Sequence, residues 1–432
     1  MRLDQPAPMQ NNSSQQRSSR DQDRIDMAQN NIPHRHRLGK IWRIIFLAST
    51  IVGIVVLTLL IFNILNQSYG YVAVEFKVDP VTLAVNNIPL EQLTNDELIE
   101  ILRNNLSQNR YKTLDREQPI EGRSAEDLLD LVYSEIVKPT VVNTWLLWDS
   151  LFKTGQVQAE HAEKYPTAYL YLKPWVTTSF IISPQSSNAL VAGIRTAILG
   201  SLWIIAITGL FAFPIGVGAA VYLEEYAQDN TLNRFIETNI NNLAGVPSII
   251  YGMLGLTVFV RALAPFTSGS IFGFTDPASA NGRTTLSAGL TLALLILPVV
   301  IINAQEAIRA VPNSLREASY GLGATKWQTT WYHVLPNAMA GILTGTILSI
   351  SRAFGETAPL VVIGASTYIT FDPNNIFSKF TTLPIQIYQW SVRPQAEFRN
   401  LAAAAIIALL VLLVTINAIA ILLRNRYSRR LI

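Results

Sequence analysis

The sequence predicts an all-α membrane protein of six transmembrane helices, with a water-exposed α+β insertion between the first and second. Three observations predict it. Only 15% of the 432 residues are charged, against roughly 25% in an average soluble domain. Half of the residues are apolar. Those apolar residues collect into runs near the ~20 residues that a helix needs to cross the hydrocarbon core.

Residues 1–37 are rich in Gln, Asn, Ser and Arg. They bury too little apolar surface to offset their ordering entropy, so a disordered tail is expected. Residues 41–65 form the first apolar run, interrupted only by Arg43. Its length, the tail ahead of it and the lack of an Ala-x-Ala site favour an uncleaved anchor over a cleaved signal peptide. Residues 66–184 differ: a strand-like patch at Tyr71–Val78, amphipathic helical stretches at Asp96–Leu106 and Ala125–Val137, and an excess of acidic charge. The patch Val141–Phe152, with Trp145 and Trp148, is too short to span. It reads as a core helix or as an interfacial one, since Trp favours the headgroup level. Residues 189–432 read as the main membrane domain. Spans are expected at Ile194–Leu223, Val246–Leu263, Leu286–Asn303, Asn337–Ile363 and Leu401–Leu423.

An even number of spans leaves both termini on one side. Arg35, Arg37, Lys40 and Arg43 flank the first span, and Arg424, Arg426, Arg429 and Arg430 follow the last. Positive residues stay in the cytoplasm, so both termini are expected inside and the insertion outside. The segment after the second span departs from this pattern, with Glu224, Glu225, Asp229 and Glu237 against Arg234. Acidic residues weigh little in the rule.

Several function classes drop out. The chain has no cysteine, which excludes a disulfide framework, a thiolate metal site and a cysteine nucleophile. Four histidines make a zinc centre an unpromising reading. A net charge of +3 does not suggest a nucleic-acid partner. No catalytic, cofactor or metal residues are expected.

The most informative segment is the cytoplasmic loop Pro312–Trp327. Asn313 or Ser314 can cap a helix, and Glu317 in its first turn suits the helix dipole. Leu315, Ala318 and Leu322 recur at helical spacing, and Gly323 can end the helix with positive φ. A second short helix through Trp327 and Trp331 should lead to Pro336. Such a helix pair is a natural key for a groove on a partner; the plain alternative is an amphipathic connector. Gly321-Leu322-Gly323-Ala324-Thr325-Lys326 is not a phosphate loop, which needs Gly before Lys and Ser or Thr after it.

This loop resembles the coupling loop of binding-protein-dependent ABC importer permeases. That pattern is Glu-Ala-Ala, three residues, Gly, nine residues, Ile, one residue, Leu-Pro. Glu317, Ala318, Gly323, Leu335 and Pro336 match it, while Ser319 stands for the second Ala and His333 for the Ile. The resemblance implies that Glu317, Ala318 and Gly323 meet an ATPase subunit, and that ATP is hydrolysed there and not on this chain. Tyr222–Tyr226, Asn242–Ser248 and Ile350–Leu360 are similar to the A subunit of phosphate permeases. This likeness runs from about Ala189 to the C-terminus and leaves the insertion unexplained. It implies a multi-pass protein of the bacterial inner membrane that carries inorganic phosphate. The implied partners are a homologous permease, two ATPase copies and an extracytoplasmic phosphate-binding protein, besides membrane lipid.

Arg352 and Glu356 lie four residues apart inside an apolar span, on one helix face. Ionisable groups at such depth usually face a bundle interior or a polar pathway. Two readings stand. In one, Arg352 attracts the anion through its planar fork, and Glu356 tempers affinity and favours a protonated oxyanion such as hydrogen phosphate. In the other, the two are a structural ion pair. Arg309, with Glu306, reads as lining the exit or as supporting the coupling loop. Arg195 reads as snorkelling to headgroups, with anion capture as the alternative. Gly245, Pro247 and Pro298 interrupt apolar runs, as hinges or as static kinks. Gly341 and Gly345 suit close contact with a neighbouring helix of this chain or of a partner. The rival functions are a permease for sulfate, molybdate or an amino acid, and a membrane sensor or scaffold working through its insertion.

Overall fold

The structure, a computed structural model, describes residues 12–84, 88–117, 119–274, 281–365, 368–369 and 371–428. The first eleven residues of the expected tail, Arg429 and Arg430, and parts of two expected outside loops lie outside these residues. The chain divides into two units, Met1–Asn63 and Ile64–Ile432.

The first unit consists of helix α1 (Asn12–Gln67), whose last turn belongs to the second unit. The segment 12–37, read from composition as disordered, has helical backbone continuous with the apolar run. Extending an existing helix avoids the nucleation cost that a separate polar helix would face.

The second unit opens with β1 (Tyr69–Glu75), the middle strand of an antiparallel sheet. It is followed by α2 (Asn95–Asn105), α3 (Gln108–Glu117) and α4 (Ala125–Val132). Thr94 and Glu97 form a reciprocal capping box on α2, and Ser124 caps α4. Each satisfies backbone N–H groups that the first helical turn leaves open. Leu98, Leu102, Leu128 and Val132 bury the apolar faces of α2 and α4 together. Val141–Phe152 is not one helix. Thr140–Thr144 forms β2, and only Leu147–Phe152 is helical, as α5. β-branched Thr140, Val141 and Val142 suit a strand, and β2 pairs with β1 at Val72↔Thr144. Helix α6 (Thr154–Lys164), strand β3 (Tyr169–Pro174) and the short α7 (Thr178–Ile182) complete this part.

The rest is helical: α8 (Arg195–Val221), α9 (Thr231–Ala244), α10 (Ser248–Gly255), α11 (Ala264–Thr267), α12 (Thr285–Arg309), α13 (Asn313–Gly321), α14 (Lys326–Thr329), α15 (Leu335–Phe354), α16 (Ala358–Ile363), α17 (Leu383–Ser391) and α18 (Ala396–Ser428). Among the described residues, five continuous helical stretches are long and apolar enough to cross a membrane. They are His36–Gln67, Arg195–Tyr226, Thr285–Arg309, Lys326–Phe354 and Ala396–Arg426. The run expected as one span from Val246 belongs to a bent pair, Thr231–Ala244 and Ser248–Ala262, meeting at 105°. Pro247 causes the break, because the residue before proline is pushed out of the helical region. The expected span Asn337–Ile363 also breaks. α15 ends at Phe354, and α16 starts afresh at Ala358 with Pro359 in its first turn.

Helix α12 is the buried centre and packs chiefly against α8 and α15. A Cβ on Gly341 would lie 2.7 Å from the Cβ of Ala307, and one on Gly345 would lie 2.4 Å from the Cβ of Asn303. The small-residue pair therefore serves an internal contact of α15 with α12. Val72 and Val74 share one core with Phe180, Ile194, Leu383, Trp390 and Leu401. The sheet is thus packed onto the adjoining ends of α8, α17 and α18. Each fully buried large side chain there contributes about 1.5–3 kcal/mol.

Candidate functional site: the coupling loop and the α15 break

α12 passes through Ala310 to Pro312 and enters α13 directly. Neither Asn313 nor Ser314 caps this helix. Pro312 occupies the cap position, and its fixed φ starts the first turn without a side-chain bond. The side-chain cap sits instead on α14, where Thr325 and Gln328 form a capping box. Between the two helices Gly323 has φ +83°, the left-handed conformation expected of it.

Glu317 and Ala318 are exposed on this hairpin. Leu322 is 90% exposed, and Trp327, Trp331 and Tyr332 are each more than half exposed. Trp327 and Trp331 stack with ring centroids 5.3 Å apart. Leu322, Trp327, Trp331 and Tyr332 thus point outward, whereas Val311 and Val334 at the loop's two ends are buried. Ser319, the departure from Ala in the family pattern, is buried, and its hydroxyl lies 2.9 Å from that of Thr329. This bond ties α13 to α14. Ser319→Ala leaves the Thr329 hydroxyl unpaired in a buried place, at a cost of about 1–3 kcal/mol. Faster tryptic cleavage within the hairpin is the expected readout, and an unchanged rate would refute the tie. His333 is exposed, and its carbonyl accepts a bond from Asn337 Nδ2 at 2.7 Å. Leu335 and Pro336 are half-buried in the first turn of α15.

Two carboxylates anchor the loop root. Arg316 Nη2 donates to Glu225 Oε1 at 2.7 Å and to the Ile308 carbonyl at 3.0 Å, while its Nη1 donates to the Val311 carbonyl at 2.7 Å. The side chain of Glu225 is only 5% exposed, and that of Arg316 15%. Arg309 pairs with Glu224, which also accepts from Gln305. The acidic run after the second span is therefore matched by arginines, and Asp229 pairs with Arg234 as well. Sequence reasoning missed the roles of Arg316, Glu224 and Glu225. The available signal was two adjacent carboxylates at the end of an apolar run, with arginines at the end of another.

At the other end of α15 the ion pair takes a different form from a helix-face pair. Arg352 lies in the last turn, Gly355 ends the helix, and Glu356 sits in the break before α16. Arg352 Nε and Glu356 Oε1 are 3.5 Å apart; the arginine side chain is 53% exposed and the carboxylate 18%. A cation in this position also faces the negative end of the helix dipole. Arg309 does not join them. The Gly345–Asn303 and Gly341–Ala307 contacts set α15 antiparallel to α12, which puts Arg309 about 20 Å from Arg352 along the axis. It belongs to the loop root. Arg195 is not snorkelling freely, since its Nε lies 2.9 Å from Asp372 Oδ2. The same carboxylate accepts from Thr196 Oγ1 at 3.0 Å.

Comparison with known proteins sets this arrangement in a family. Residues 212–432 match the family described as "Binding-protein-dependent transport system inner membrane component". The "Probable ABC transporter permease protein YqgI" of Bacillus subtilis is 35% identical over 237 residues, 52% of this chain and 74% of that protein. The "Phosphate transport system permease protein PstA 1" of Mycobacterium tuberculosis is 37% identical over 240 residues, 55% of this chain and 72% of the relative. The "Phosphate transport system permease protein PstA" of Pasteurella multocida is 33% identical over 229 residues, 52% of this chain and 75% of the relative. With its apolar helices, its exposed loop hairpin and a family match over half its length, the chain belongs to the inner membrane components of binding-protein-dependent transport systems, a multi-pass transport subunit and not an enzyme.

Proposed function

We propose that this chain is a permease subunit of an ATP-driven importer of inorganic phosphate. The observation that carries the solute is the match to relatives named as phosphate transport system permeases, each aligned over most of its length. In this reading the chain crosses the bacterial inner membrane six times, with both termini cytoplasmic and residues 66–184 outside. It pairs with a homologous permease, docks on two copies of an ATPase, and receives phosphate from an extracytoplasmic binding protein.

Coupling runs through the hairpin. Glu317, Ala318 and Gly323 meet the ATPase, with Trp327 and Trp331 as an aromatic footing. The Ser319–Thr329 bond and the Arg316–Glu225 pair make the hairpin stiff. α14 continues through the turn Thr330–Val334 into α15. When the ATPases close on ATP, displacement of the loop is carried about 25 Å along α15 from Leu335 to Arg352. Half-exposed Arg352 then faces the pathway, where its guanidinium attracts the oxyanion. Glu356 weakens that attraction and accepts a hydrogen bond from the P–O–H that hydrogen phosphate retains and sulfate at neutral pH lacks.

Radiolabelled phosphate uptake in cells lacking the chain tests this. Wild type should restore uptake that excess sulfate does not inhibit, and Arg352→Ala should abolish it with normal protein level. Restoration by wild type with full inhibition by sulfate would overturn the phosphate assignment. Glu356→Gln should narrow the preference for phosphate over sulfate; an unchanged preference would refute the role given to the carboxylate.

A further inference from the structure

The short helices α5 and α7 share an arrangement that transport does not use. Trp148 N, in α5, donates to Asn66 Oδ1 at 2.7 Å. Asn66 lies in the last turn of the candidate span His36–Gln67. In α7, the Phe180 carbonyl accepts from Ile194 N at 2.9 Å, and the Ser183 carbonyl just beyond it accepts from Arg195 N at 3.1 Å. Arg195 begins the candidate span Arg195–Tyr226. Each helix is therefore bonded to the end of a stretch long and apolar enough to cross a membrane.

Each also has two unlike sides. Ser150 of α5 is buried and accepts from Tyr71 N, and Phe180 of α7 is buried in the core beside Trp390. On the opposite sides Trp148 is 48% exposed, Leu151 59%, Phe152 67%, Ile181 44% and Ile182 56%. Trp148 and Phe152 pack together with centroids 4.2 Å apart. Single exposed apolar residues are ordinary. Two clusters at the ends of two spans, one of them led by Trp, have the composition of an interfacial anchor.

We propose that α5 and α7 lie in the lipid interface, their exposed side chains buried among headgroups and upper acyl chains, so that the insertion rests on the bilayer. The occupant is lipid and not a protein partner, because each short helix is hydrogen-bonded to the terminal residues of a stretch long and apolar enough to cross a membrane. Burial of these side chains fixes the height of the insertion, and so of the sheet packed against α17 and α18.

The chain has no cysteine, so single nitroxide labels can be placed cleanly. Leu151→Cys, Ile182→Cys and the control Gln158→Cys, exposed on α6, are labelled in the full chain. The chain, assembled with its partner subunits, is then put into vesicles of phosphatidylethanolamine and phosphatidylglycerol. Power-saturation measurements compare collisions with oxygen, which concentrates in lipid, and with a water-soluble nickel chelate. Oxygen should dominate at positions 151 and 182 and nickel at 158. Nickel dominance at 151 or 182 would overturn the proposal. Shielding of either label from both reagents would overturn it too, by showing a protein cover.

Discussion

Alanine in place of Arg316 is expected to loosen the loop hairpin and, on the proposed coupling role, to cut transport. Glu225 would remain buried without its partner, and Ile308 and Val311 would each lose a donor to their carbonyls. Removing one member of a buried ion pair costs about 3–5 kcal/mol, because the remaining charge is left uncompensated. Tryptic cleavage after Lys326 should accelerate, and, on the proposed assembly, an ATPase partner should co-purify in smaller amount. Glu225→Ala should do the same. Replacing both by apolar residues, Arg316→Met with Glu225→Leu, should recover most of the stability, since a buried pair contributes little over well-packed hydrophobes. If the double variant is as labile as either single one, the pair is not the source of the effect. Unchanged cleavage in Arg316→Ala would remove the hairpin anchor from the account altogether.

Gly345→Leu is expected to damage the membrane domain itself. A Cβ at this position would lie 2.4 Å from Asn303 Cβ, 3.0 Å from its Cγ and 3.1 Å from its Nδ2. The first is closer than carbon neighbours tolerate and the other two are tight, and a leucine adds further atoms behind the first. α15 would have to move away from α12, the most buried helix of the bundle. Overpacking typically costs about 1–3 kcal/mol, and more where backbone must shift. Close approach through small residues is also what holds such helices together in lipid, where no hydrophobic force drives them. The expected result is a lower melting temperature in detergent and loss of uptake. Gly218→Ala supplies the control, because nothing lies within 4 Å of a Cβ there. It should be neutral or slightly stabilising, since alanine favours a helix over glycine. Equal effects at the two positions would mean that helix propensity, and not contact, governs Gly345.

The sequence by itself determined the membrane class and the approximate place of the apolar helices. Their run length answers to the thickness of the bilayer and needs no knowledge of neighbours. It also determined the loop hairpin, because the spacing from Glu317 to Pro336 and the glycine at position 323 are local features. The capping box on α2 and the positive φ of Gly323 are equally local, and they appear where the residues allow them.

Only the tertiary structure decided which charges meet. Glu225 and Arg316 are 91 residues apart, and Glu224 and Arg309 are 85 apart. Nothing in either segment names the other until α8 packs on α12. The same holds for Arg195 with Asp372, and for Gly345, whose partner could equally have been a second subunit. Val141–Phe152 was divided between strand and helix by its pairing with β1, a long-range contact that overrides a short apolar pattern. The Arg352–Glu356 pair looked like a helix face because their spacing is helical. The chain leaves the helix at Gly355, where glycine costs little to release and proline follows at position 359. Local composition specifies where a helix is possible; packing specifies where it stops and what it touches.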